Sequence, residues 1–183
     1  MVRLTKLGDT SWIVHWCTAE HGWIKTVAKG ARRPRSPFAG KLDLFFDADF
    51  EWTAARRGEL HLLREVAVTA TRDSLRRRYA DTLLAAYCCR LLEMAVEREH
   101  PVPELHDLLR RALDHVTAAG ASVRALRHYE RELARLLGVG GGPTAGSAGL
   151  AEALGGLPAL RGEVLGHLAG NDRGLGSSKA GEL

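Results

Sequence analysis

The sequence predicts an α+β protein in which a small β-barrel precedes an α-helical domain. Three observations predict it: apolar residues alternate up to about residue 71, they recur at helical spacing from about residue 73, and a Gly-rich stretch without period begins after residue 139. The implied organisation is a barrel over 1–72, a helical domain over 73–139, and a linker with a short helix and a flexible tail over 140–183. At 183 residues, 45% hydrophobic and 26% charged, the chain has the composition of a folded protein with room for one core or two small ones.

The strands come first. "SWIVHWCT" (11–18) is rich in aromatic and β-branched residues, breaks at "EHG" and resumes as "WIKTVAKG" (23–30), the pattern of a hairpin with glycine in its turn. In "FDADFEW" (46–52), Phe46, Ala48, Phe50 and Trp52 alternate with Asp47, Asp49 and Glu51, so one face is apolar and the other acidic. "RRG" (56–58) then turns the chain into "ELHLLREVAVTAT" (59–71). About five strands in so short and turn-rich a segment suit a small barrel.

Asp73 or Ser74 is the first N-cap. From Leu75 to Val96 apolar residues, Tyr79 and Met94 among them, cover much of the helix circumference, which predicts a central helix packed on several sides. "VPELHDLLRRALDHVTAAG" (102–120) opens with proline and keeps one apolar stripe until Gly120; "SVRALRHYERELARLLG" (122–138) does the same from a Ser cap to Gly138. Beyond it "PALRGEVLGHLAG" (158–170) predicts at most one modest further helix, and "NDRGLGSSKAGEL" (171–183) has too little apolar area to order itself. No run of about 18 apolar residues and no apolar core of signal-peptide length occur, and the three cysteines form no C-x-x-C pair, so a cytoplasmic protein with reduced thiols is expected.

The net charge of +4 permits a polyanionic partner without demanding one, so its distribution decides. Between Lys25 and Lys41 six basic residues, Lys25, Lys29, Arg32, Arg33, Arg35 and Lys41, occur with no acid among them, and Pro34 and Pro37 stiffen the backbone around them. Confined repulsion of this kind fits phosphate binding with counterion release, and Trp23 and Phe38 beside it suggest base stacking. A solvated surface loop is the plainer alternative. Arg124, Arg127, Arg131 and Arg135 form one stripe on the third strong helix, either a solvated face paired with Glu130 and Glu132 or a dock for DNA or an acidic peptide. Arg76, Arg77 and Arg78 oppose the helix dipole at a helix start, a possible phosphate contact. Asp47, Asp49 and Glu51 have the residue types of a nuclease metal site, but successive positions on one strand face point to solvent more often than to a metal. No nucleophile, zinc or phosphate-loop motif is present.

In its order of features the segment "LTKLGDTSWIVHWCTAEHGWIKTVAKGARRPRSPFAGKLDLF" resembles the amino-terminal domain of the bacterial recombination mediator family RecO. The resemblance rests on "G-(D/E)-x-S-x-I-V" at Gly8–Val14, "T-x-E-H-G" at Thr18–Gly22 and "A-K-G-A-R-(R/K)-P-(R/K)-S" at Ala28–Ser36, and continues through Gly58–Val66. It implies an OB-fold barrel followed by a helical domain and no catalytic activity; no cofactor is expected. It also implies binding of single-stranded and double-stranded DNA, strand annealing, and partnership with the mediator RecR and with the acidic C-terminal tail of single-stranded DNA-binding protein in RecF-pathway repair. The loop Lys25–Lys41 would then be a phosphate clamp. Many members carry a four-cysteine zinc module after the "LLG" that here is Leu136–Gly138; this chain has no cysteine after Cys89, so zinc is not expected. The remaining alternatives are an adaptor whose helices bind acidic protein tails while the barrel supports them, and a metal-dependent nuclease.

Overall fold

The computed structural model describes residues 1–97, 99–139 and 146–175. Five strands lead: β1 (Arg3–Leu7), β2 (Ser11–Thr18), β3 (Gly22–Ala28), β4 (Asp47–Thr53) and β5 (Leu60–Ala70). They form one sheet in the order β1-β2-β3-β5-β4, with β3 and β5 parallel and every other neighbouring pair antiparallel. This is the connectivity of an OB-fold, a partly open Greek-key barrel. The edges β1 and β4 are not paired to each other; instead the Met1 amino group donates to Phe46 O (2.6 Å) and Phe45 N–H donates to Met1 O (3.0 Å), tying the chain start to the lead-in of β4. Two register shifts in the β4–β5 pairing supply the local bending that a curled sheet needs.

On β4 alternation sorts the residues as expected, whereas β3 is buried along nearly its whole length. Val14, Trp16, Ile24, Ala28, Leu63 and Val66 turn inward with Phe38 and Phe46, while on β4 Asp49 and Glu51 face out and Phe50 and Trp52 pack partly inward. Trp16 anchors this core: its ring stacks on Phe50 at 4.0 Å between centroids, and its indole N–H is satisfied by Thr26 Oγ1 at 2.8 Å, so a large apolar area is buried without an orphaned donor. Arg72, buried at positive φ, donates to Phe45 O (2.8 Å) and to the Asp47 carboxylate.

A 3₁₀ turn at Asp73–Arg76 follows, then α1 (Tyr79–Ala95), α2 (Pro103–Ala119), α3 (Val123–Leu136), α4 (Gly146–Ala153) and α5 (Leu160–Leu175). The single helix expected from Leu75 is therefore a short turn plus α1, and Tyr79 and Met94 are exposed where a packed surface was expected. The Ser122 cap of α3 holds, its hydroxyl accepting from Ala125 N–H at 3.1 Å. Two helices stand where at most one was expected after residue 139, because Leu150, Val164 and Leu168 find buried places. Of the Gly-rich linker expected after residue 139, residues 140–145 lie outside the described residues, and 146–149 are not linker but the first turn of α4, where Leu150 anchors the helix by burial. The tail beyond 175 also lies outside the described residues, and its first residues, 171–175, are the end of α5.

Two compact units emerge: residues 1–72 with 96–107, and residues 73–95 with 108–183. In the first, the segment after α1 returns to the β2–β3 turn, where Val102 N–H donates to Ala19 O (2.9 Å) and Glu99 N–H to Trp23 O (3.4 Å). In the second, the buried Tyr87 and Glu130 and the partly buried Arg161 join α1, α3 and α5. Tyr87 donates to Glu130 Oε1 (2.6 Å), and Arg161 donates from Nε to Oε1 (2.6 Å) and from a terminal nitrogen to Oε2 (3.1 Å). Glu130 is thus a buried carboxylate with all its charge compensated.

Candidate nucleic-acid interface

The chain leaves β3 at Ala28 and winds through successive tight turns: Arg33 N–H donates to Gly30 O, Ser36 to Arg33 O, Ala39 to Ser36 O and Lys41 to Phe38 O, all between 3.0 and 3.1 Å. Gly30 has φ +67, a conformation that favours glycine, and the two prolines restrict φ between the turns. Phe38 is buried in the barrel core and pins the loop from beneath. Two backbone contacts fix it sideways, Arg32 N–H to Thr10 O (2.8 Å) and Gly30 N–H to Ser11 Oγ (3.2 Å). The loop is ordered before any ligand arrives.

Its six cations are not equivalent. Arg32 is spent on the fold: its guanidinium donates to Asp9 O (2.9 Å) and Gly8 O (3.3 Å) and lies 5.4 Å above the Trp12 ring. Lys25, on β3, is three-quarters covered and 3.8 Å from Glu59. Lys29, Arg33 and Arg35 are exposed, Lys41 is partly so, and none of the four has an acidic partner among the described residues. Trp23 and Phe38 are both buried, so neither is a stacking platform for bases. Sequence reasoning also passed over the turn residues Arg56 and Arg57, which are exposed as well. Their signal was the pair of adjacent charges in "RRG".

On the helical unit, α1, α2 and α3 enclose a cavity of about 510 Å³. Leu84, Cys88, Leu108, Val116 and Tyr129 give it an apolar floor, and Arg124 and Arg131 of the predicted stripe stand at it together with Arg111, His115 and His128. Arg127 and Arg135 are not part of the lining, and Arg135 is paired with Glu132 at 3.1 Å. Arg111, His115 and His128 were missed because they come from two helices whose pairing has no sequence signature.

The other candidates are taken up by structure. Asp47 is engaged by Arg72, which removes it from any group with Asp49 and Glu51. Arg76 pairs with Asp73 (3.6 Å) and Arg78 with Asp81 (2.8 Å), leaving Arg77 exposed. Among the described residues no three His, Cys, Asp or Glu side chains are placed to hold a metal ion, and no helix is long and apolar enough to cross a membrane. The cysteines are free; burial pushes the Cys17 thiol up to about 12 and raises Cys88 as well, so both stay protonated and unreactive at neutral pH.

Comparison with known proteins bears on this arrangement. Residues 1–72 match the sequence model of the recombination protein O N-terminal domain, and residues 76–141 match that of its C-terminal domain. The chain is 33% identical over 133 residues to the DNA repair protein RecO of Pelobacter propionicus, covering 72% of this chain and 53% of that protein. It is 32% identical over 131 residues to the protein of the same name from Syntrophotalea carbinolica (72% and 51%), and 33% identical over 133 residues to that of Xanthomonas campestris (72% and 54%). The chain spans about half the length of the curated relatives it matches.

Proposed function

The chain belongs to the recombination protein O family, and from that premise we propose that it is a DNA-binding, strand-annealing mediator of RecF-pathway repair in the cytoplasm, with no catalytic step of its own. The observation that carries the reading is the preorganised loop with Lys29, Arg33 and Arg35 exposed, Lys41 partly so, and none of the four neutralised by an acid among the described residues. Four like charges on a stiff loop repel one another, and phosphates relieve that repulsion while releasing condensed counterions. Backbone contacts of this kind position a strand without reading its bases, which is what annealing of arbitrary sequences needs. Both single-stranded and double-stranded DNA present such phosphates.

A second partner is supported by the cavity on the helical unit. An apolar floor ringed by Arg111, Arg124 and Arg131 suits a short acidic peptide that ends in apolar side chains, the chemistry of the C-terminal tail of single-stranded DNA-binding protein. In this reading the tail recruits the protein to coated strands and the barrel engages the DNA. The mediator RecR completes the set of proposed partners, on the strength of the family alone. An annealing assay with complementary strands coated by single-stranded DNA-binding protein tests the proposal: the protein should accelerate duplex formation, and coated strands that anneal no faster with it than without it would refute it.

A further inference from the structure

We infer that the β4–β5 turn forms a second nucleic-acid subsite, in which Arg56 and Arg57 take phosphates and the rings of His21 and Trp52 take a base. The inference rests on the reading of the loop as a phosphate-binding element and extends it to the other end of β3. Since β3 and β5 run parallel with Lys25 opposite Leu60, the residues before Leu60 lie toward the start of β3, whereas Lys29–Lys41 leave from its end. The seven residues of β3 span roughly 20 Å between them. A single strand reaching both ends falls within the roughly 4–16 nucleotides that one OB-fold holds.

The turn is built, not loose. Ala55 N–H donates to His61 Nδ1 at 3.1 Å, which fixes the start of the turn on a buried ring. Because Nδ1 accepts, the proton of the neutral imidazole sits on Nε2, which faces Glu99 Oε1 at 3.2 Å. His61 lies 4.3 Å from the Trp52 ring, and His21 meets Trp52 edge-on at 5.7 Å. His21 is exposed and Trp52 half-buried, so aromatic surface is open beside Arg56 and Arg57, which have no acidic partner among the described residues. Of the acids near the turn, Glu99 is engaged with His61 and Glu59 with Lys25. Unneutralised cations beside open rings are the combination by which sequence-tolerant binders hold single strands.

Binding of labelled oligo-dT of about 4 and about 16 nucleotides, followed by anisotropy across salt, tests this. Relative to wild type, the double variant Arg56→Ala, Arg57→Ala should lose roughly 1.4 from the log–log salt slope on the long probe, two phosphates at about 0.7 each. It should leave the short probe, held by the more highly charged loop, unchanged. His21→Ala should weaken the long probe roughly tenfold through lost stacking. If the Arg56, Arg57 variant binds both probes as wild type does while a Lys29, Arg33, Arg35 variant loses both, the second subsite is wrong and the loop reading stands. If neither variant changes binding, both are wrong. Thermal melts that match wild type keep either result from being an unfolding artefact.

Discussion

Arg32 and Arg33 are neighbours in the sequence with different fates in the fold. One guanidinium holds the carbonyls of Gly8 and Asp9 and covers Trp12; the other is free for a ligand. Charge counting finds the loop but does not separate the two, because the groups that engage Arg32 lie twenty or more positions upstream. Arg32→Ala should therefore lower stability to urea by about 1 kcal/mol, whereas Arg33→Ala should stay within about 0.5 kcal/mol of wild type. The same limit hid Trp23 and Phe38: aromatic residues near a basic loop were legible, their burial was not, since it depends on strands from elsewhere in the chain. A second residue-scale prediction concerns Tyr87, whose hydroxyl is held protonated well above its ordinary range by burial and by its bond to Glu130. The unfolded chain releases that proton near pH 10 while the folded one retains it, so stability is present below that pH and is lost as pH rises above it. Unfolding free energy should fall above about pH 10 with roughly 1.4 kcal/mol per pH unit from this group. Tyr87→Phe should remove that part of the slope, and an identical alkaline slope in the variant would show that Tyr87 does not contribute.

At the scale of elements, period and caps were informative and pairing was not. The alternation of "FDADFEW" gave β4 its faces, and Ser122 capped α3 where a cap was expected. Helices α4 and α5 were underestimated because glycines dilute their propensity, while Leu150, Val164 and Leu168 gain their stability from burial that only the tertiary fold supplies. The return of 99–102 to the β2–β3 turn carries no periodic signal at all. It depends on Gly22, at φ +59, where a Cβ would stand 2.2 Å from His100 O, a backbone atom that has little freedom to move. Gly22→Ala should cost about 2 kcal/mol or more and should lower hydrogen-exchange protection at Val102, whose N–H is bonded to Ala19 O. Unaltered stability and exchange would mean that the segment does not close on the turn as described. On the helical unit, Arg124→Glu with Arg131→Glu should weaken binding of an acidic, apolar-ended peptide at least tenfold by calorimetry, and Arg127→Glu with Arg135→Glu should do less. Equal effects from both pairs would make the stripe a general electrostatic surface, not part of a pocket.

For the molecule as a whole, strand count and the change of period place a β segment before helices, but neither yields the order β1-β2-β3-β5-β4. The parallel pairing of β3 with β5 joins residues about 35 apart and leaves no mark on local pattern. That pairing is what makes the sheet an OB-fold and places the loop after β3 at one end of the barrel and Arg56 with Arg57 at the other. The central claim is that the loop binds phosphates through Lys29, Arg33 and Arg35. Its most direct test is the salt dependence of oligo-dT binding by the triple Ala variant at those positions. About three fewer counterions should be released, so the log–log slope should flatten by roughly two, with a similar loss on other base sequences and an unchanged melting temperature. A variant that keeps the wild-type slope, or that loses binding only because it unfolds, would contradict the account.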